Sequence, residues 1–196
     1  FALSASTGVA VDKTVQIAQE FARAGLEGRG YGTVVDLTEI ALKGLQGTTL
    51  DAAQSSAILI QVIQQIESGA RGLNKELITS GKLFDILGRI EDITAAKAQD
   101  FAEAFKRSGA SLVATGASIE EIAGIISVVQ ERTQRGGEVI GTAFKTIATR
   151  ISNTSSDASQ ALRSIGVEVI NANGKLRSIN DILRDTSIAF EGLTEA

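Results

Sequence analysis

"GVEVINANGKLRSIND", residues 166–181, decides what kind of fold the chain has. Two short runs of alternating character, Val167-Glu168-Val169-Ile170 and Lys175-Leu176-Arg177-Ser178, flank Asn171-Ala172-Asn173-Gly174. Alternation with period two marks a strand, and Asn-Gly suits a tight turn at positive φ. The pattern predicts one small β-hairpin near residues 167–178. Gly166 can take the left-handed conformation that stops a helix, so the first strand follows a helix end directly. Ser178-Ile179-Asn180-Asp181 has the spacing of a capping box, so the second strand leads into a last helix through about Leu193. A two-stranded ribbon is marginal alone. This one must pack on helices, through Val167, Val169 and Leu176.

Outside this stretch, apolar residues recur at helical spacing. Asp12 reads as a helix cap, with Val15, Ala18, Phe21 and Ala22 on the buried face. "GLEGRGYG" (25–32) reads as a flexible joint. A second helix carries Val34, Leu37, Ile40 and Ala41 and ends at Gly44. Thr49 caps a third through about Ile66, whose middle, "AILIQVIQQI" (57–66), is apolar around more than half its circumference and belongs at the centre of the core. "ESGARGLNKELITSGK" (67–82) reads as a loop with a short helix and is the weak joint of the chain. Further stripes follow at Leu83, Ile86, Leu87, Ile90, then at Phe101, Phe105, Leu112. Ser118-Ile119-Glu120-Glu121 is a second capping box, with Ile122, Ile125, Ile126 and Val129 behind it. Gly136-Gly137 breaks the chain before a helix with Ile140, Phe144, Ile147 and Ile151 inward. Ser155 or Ser156 starts the short helix that Gly166 stops. The expected fold class is all-α, a bundle of about eight helices plus the hairpin, in a single domain over 1–196.

Composition removes several functions. The chain has 196 residues, 43% hydrophobic and 21% charged, enough to build a core and too apolar for general disorder. Cysteine and histidine are absent, which excludes disulfides, thiol nucleophiles, the usual serine-hydrolase base and the favoured zinc ligands. Tyr31 and seven phenylalanines are too few aromatics for nucleic-acid stacking platforms. A net charge of −4 gives no electrostatic grip on phosphate, so specific nucleic-acid binding is not expected. The chain begins at Phe1 and has no methionine, as expected of a piece of a longer protein.

Candidate chemical motifs each meet a plainer explanation. Gly28-Arg29-Gly30-Tyr31-Gly32 has the look of a phosphate loop, but Thr33 stands where a third glycine belongs and no Gly-Lys-Ser/Thr follows. Glu67, Glu76, Asp85, Glu91, Asp92, Glu103, Glu120 and Glu121 could supply paired carboxylates, yet most fall on polar helix faces. Ser80 and Lys82 lack a supporting hydrolase motif, and Asn153-Thr154-Ser155 is too short a glycosylation signal to carry weight. Gly137 and Gly141, four apart, predict close helix approach within the molecule. No catalytic, cofactor-binding or metal-ligating residue is assigned, and no cofactor is expected.

The segments as a set resemble phage tail tape measure proteins. The resemblance rests on "GGEVIGTAFKTIATRISNTSSDASQALRSIGVEVINANGKLRSINDIL" (136–183), with its glycine, its apolar helix ending in Arg150, its short helix closing in Leu162 through Gly166, its Asn/Gly turn and its "DIL". "IAQEFARAGL" (17–26) and the run from Ala96 to Gly141 extend it, while 67–82 is the least typical part. The resemblance implies a structural part of a longer chain, not an enzyme. Such a chain sets tail length, occupies the tail tube, and leaves on infection to assist genome delivery. Implied partners are other copies of itself in a homo-oligomer, tail tube and tail tip proteins, tail assembly chaperones, and the host envelope on ejection. The implied location is the virion, in the tail lumen or tip, with the host cytoplasm during assembly. Two other classes remain open on the residues: a membrane-active or pore-forming helical module, suggested by apolar Ala57–Ile66, and an envelope-degrading enzyme domain, with Glu103 and Glu121 as acids to substitute.

Overall fold

The computed structural model describes residues 2–68 and 73–194, with the backbone alone for Leu193 and Thr194. Eleven helices lie along the described residues, three more than the expected number, because short segments at the N-terminal end and between longer helices are also helical. The first are α1 (Ala2–Thr7) and α2 (Val11–Arg23). In α2 the cap position falls on Ala10, and Asp12 sits in the first turn, where its charge suits the positive end of the helix dipole. The buried stripe is Thr14, Ile17 and Phe21, rotated by one residue from the predicted one, and Val15 is left 46% exposed. Ile17 and Phe21 remove more apolar area from water than Val15 and Ala18 would. The Thr14 hydroxyl tolerates this burial by donating to the Ala10 carbonyl at 3.2 Å.

The glycine-rich stretch at 25–32 is a packed corner rather than a flexible joint. Gly25, Gly28, Gly30 and Gly32 all have positive φ, which folds the loop back and drives Leu26 and Tyr31 into the core at 1% exposure each. The Lys75 ammonium lies 5.1 Å from the Tyr31 ring centre and donates to the Arg29 carbonyl, while Arg29 pairs with Glu67 at 3.0 Å. Burial, with Glu67 nearby, pushes the Tyr31 phenol above its usual pKa.

α3 (Val34–Gly47) opens on a Thr33–Asp36 capping box and runs through Gly44, the predicted end. Gly44 is there for contact: a Cβ at this position would lie 2.5 Å from the Phe84 ring. α4 (Ala52–Glu67) is capped by Asp51 with Gln54 rather than by Thr49. Ile58, Leu59, Val62 and Ile63 are buried in it, so the apolar middle of this helix forms core as expected. α5 (Lys75–Thr79) is the short helix anticipated in 67–82; residues 69–72, within the expected weak joint, lie outside the described residues.

The remaining helices are α6 (Lys82–Ile93), α7 (Ala98–Ala114), α8 (Ile119–Thr133), α9 (Gly137–Ser152), α10 (Asp157–Ser164) and α11 (Ile179–Thr194). The Ser118–Glu121 capping box forms at α8, and Ser156 caps α10. α2, α3 and α4 pack on one another. α4 rests on α7, and α6 bridges α3 to α8. α7, α8 and α9 make a second group, with α10 against α9. Buried apolar side chains join into one cluster reaching from Ile17 in α2 to Ile182 in α11.

The predicted hairpin does not form as two strands. An isolated antiparallel bridge links Ile170 and Leu176, through the Asn171 amide to the Lys175 carbonyl at 2.8 Å and the Arg177 amide to the Val169 carbonyl at 3.0 Å. Two local features stop the ladder there. The Asn171 side chain takes the Asn173 and Lys175 amides, both at 3.0 Å, which makes the turn its own hydrogen-bonded unit. On the far side α11 begins at Ile179, so the second arm has no room to extend. The helix-start signal at Ser178 therefore limits the strand signal before it. The helix stop and the inward valines follow the local reading. Gly166 has φ +82°, the Val167 amide reaches back to the Leu162 carbonyl at 2.9 Å, and Val167 and Val169 are buried.

Candidate functional site

α9 has two unlike sides, and the contrast locates the candidate site. Its buried stripe is Gly137, Ile140, Gly141, Phe144, Ala148 and Ile151. The glycine edge lies directly on α7: a Cβ at 137 would come within 2.0 Å of the Asp100 carbonyl oxygen, and one at 141 within 2.6 Å of the Ala104 carbonyl oxygen. The four-residue glycine spacing thus does what it predicts, inside the molecule. On α7 itself Phe101 and Phe105 stack with ring centres 5.5 Å apart and fill the space behind the seam.

The opposite flank of α9 is open. Ile125, Val128 and Val129 of α8, Ile140, Phe144 and Ile147 of α9, and Leu183 of α11 line a cavity of about 580 Å³. Ile147 also lines the adjoining cavity of about 490 Å³, walled by Ile151, Leu162, Ile165 and Phe190. Ile147 thus makes one apolar groove of the two, running along α9 between α8, α10 and α11. Phe190 and Val128 on its walls are 57% and 55% exposed. The polar groups at its edges are Glu121, Asn180, Arg150 and Ser164. Such a lining can bury apolar surface and offers little to polarise a bond. Sequence periodicity named Ile125, Val129, Ile140, Phe144 and Ile147 as core. The groove was not legible because a stripe shows which residues avoid water, not whether the neighbouring helix reaches them.

Four of the eight singled-out acids, Glu67, Glu76, Glu91 and Glu121, do structural work at separate places. Glu67 pairs with Arg29, and Glu76 pairs with Lys82 while its carbonyl accepts from the Ser80 hydroxyl. That contact with Lys82 holds the Glu76 carboxyl below its ordinary pKa and raises Lys82. Glu91 accepts from the Thr49 amide at 2.8 Å and from the Ala98 amide at 2.7 Å, so it caps α7, whose own cap residue Lys97 makes no side-chain cap. Glu121 caps Ser118 at 2.8 Å and accepts from the Ser178 hydroxyl at 3.4 Å, tying the start of α8 to the start of α11. Ser178 in turn accepts from the Asn180 amide at 3.2 Å, while Asp181, predicted to complete a capping box, pairs with Arg184 at 3.0 Å. Asp85, Asp92, Glu103 and Glu120 are exposed on helix surfaces. Glu103 borders a polar cleft with Lys106, Lys145 and the Arg107–Glu138 pair. Among the described residues no group of three or more acidic side chains is placed to hold a metal ion. The glycines of the supposed phosphate loop make the Tyr31 corner described above, and Asn153 accepts from the Ser155 amide and hydroxyl within a turn.

A family model described as phage-related minor tail protein matches residues 2–196. The chain belongs to that family. A curated relative is the tape measure protein of Pneumococcus phage Dp-1, 24% identical over 193 residues. The match takes in 98% of this chain but 16% of that protein, so the chain spans about a sixth of its relative's length. No solved structure matches the chain. Membership of a minor tail protein family implies a place in the virion tail.

Proposed function

We propose that the chain is a structural segment of a tape measure protein: one helical domain in a longer polypeptide that sets tail length, occupies the tail tube, and leaves on infection to assist genome delivery. The observation that carries this reading is the near-complete match to a short portion of a tape measure protein. It is supported by a groove that suits contact rather than chemistry, and by the engagement of Glu67, Glu76, Glu91 and Glu121 as caps and ion pairs. On this reading the chain is not an enzyme. Its partners are other copies of itself, tube and tip proteins, assembly chaperones and, on ejection, the host envelope.

These residues cannot be the main ruler. Fully helical, 196 residues would span about 290 Å at roughly 1.5 Å per residue, and here they are folded back on themselves. Their contribution to length is small, and the domain serves as a folded attachment or delivery part of the longer chain. The membrane-active alternative loses its motivating feature, because Ile58, Leu59, Val62 and Ile63 point into the core. Among the described residues no helix is long and apolar enough to cross a membrane.

The test is an in-frame deletion of this segment from the gene that encodes it, with tail length measured by electron microscopy and infectivity by plating. Tails that form at nearly normal length with infectivity lost fit the proposal. Normal tails with normal infectivity would refute it.

A further inference from the structure

We infer that Asp100 is a clamp that decides where the helical domain first comes apart, at the junction of α8 and α9. This role belongs to the fold alone and does not depend on the tail reading. The junction is poorly held by its own residues. α8 ends with Gln134 at φ +55°, a left-handed conformation that disfavours any residue with a Cβ. α9 begins at Gly136-Gly137, and Gly136 has no side chain to cap the first turn. Two glycines at a helix start also cost the most backbone freedom to order.

One carboxylate from α7 makes good both sides of this junction. Asp100 Oδ1 accepts from the Gly137 amide at 2.9 Å, which caps α9 from another helix. Asp100 Oδ2 accepts from the Gln130 side-chain amide, which fixes the last turn of α8. Gln130 is 9% exposed, so its end of this bond is shielded from water. A charge-assisted bond to a free helix amide is among the stronger hydrogen bonds available to a helix end. With it gone, the side-chain bonds left to residues 134–137 among the described residues lie on the α8 side, from the Arg135 amide to the Thr133 hydroxyl and from the Gln134 side-chain amide to the Glu131 carbonyl, and the first turns of α9 lift from α7 before the α2–α4 group loosens.

Native-state hydrogen exchange on the intact chain tests this. Asp100→Ala should raise exchange at Ile140–Ala148 by roughly tenfold, while Ile58–Ile63 in α4 keep the parent rate. Asp100→Asn, which preserves shape and one acceptor, should raise it less and in the same place; it decides the matter if the alanine variant does not fold. Gln134→Gly, which relieves the left-handed strain without touching the clamp, should slow local exchange. Unchanged rates in α9, or equal increases in α4 and α9 for both Asp100 variants, would overturn the inference.

Discussion

The two flanks of α9 are opposites in how they are filled. Toward α7 the helices approach so closely that glycine is the only residue with room at 137 and 141. Toward α8 and α11 the same helix leaves an apolar groove of about 580 Å³, and Gly124 on its wall has nothing within 4 Å of where a methyl would sit. Glycine stands on both flanks, so its presence does not separate them. What separates them is whether the facing helix is present at contact distance. The closed flank holds the fold together.

The contrast can be broken at several points. Gly137→Ala should be the most damaging single change, costing on the order of 3 kcal/mol or more, since the methyl would strike backbone that cannot yield. Loss of cooperative urea unfolding, or a midpoint far below the parent's, is the expected reading. Ile140→Ala should cost about 2 kcal/mol, the low end for such a truncation, because Ile140 is buried beside a groove that is already open.

Acid should weaken the fold by a smaller amount. The Asp36 carboxyl is held below its usual pKa by the Thr33 amide and hydroxyl, Glu76 by Lys82, and Asp185 by Arg177. Each contributes stability that is complete above the ordinary carboxylate range near pH 4 and is lost as pH falls through the lower folded value. Thermal midpoints followed from pH 6 down to 2 should therefore hold steady and then decline. Asp36→Asn should flatten part of that decline. Smallest of all, Ile147→Ser and Phe190→Ser should leave stability within about 0.5 kcal/mol of the parent, as both side chains already meet water. A large loss from either would mean the groove is closed in solution.

Much of this fold was legible because its signals are local. The Ser118–Glu121 box, the Gly166 stop, the buried middle of α4 and the glycine pair on α9 each rest on spacing within a few residues. Features set by distant partners were not legible. The 25–32 loop reads as loose from its glycines, but Tyr31 is anchored by Lys75, forty-four positions away. The caps supplied by Glu91 to α7 and by Asp100 to α9 cross between helices, and the sequence shows merely that Lys97 and Gly136 lack caps of their own. At the hairpin two valid local signals compete. Alternation at 175–178 asks for a strand, and the start of α11 at Ile179 ends it. The groove depends on the spacing between packed helices and leaves no mark in the order of residues.

The most direct test compares two glycine-to-alanine changes on facing sides of this contrast by urea denaturation. Gly141→Ala should destabilise by about 1–3 kcal/mol, because its methyl meets the Ala104 carbonyl on α7. Gly124→Ala should stabilise by roughly 0.5–1 kcal/mol, the gain from stiffening a helix interior with open space around it. Opposite signs are the predicted result. Two changes of the same sign and size would contradict the account of a closed seam on one flank of α9 and an open groove on the other.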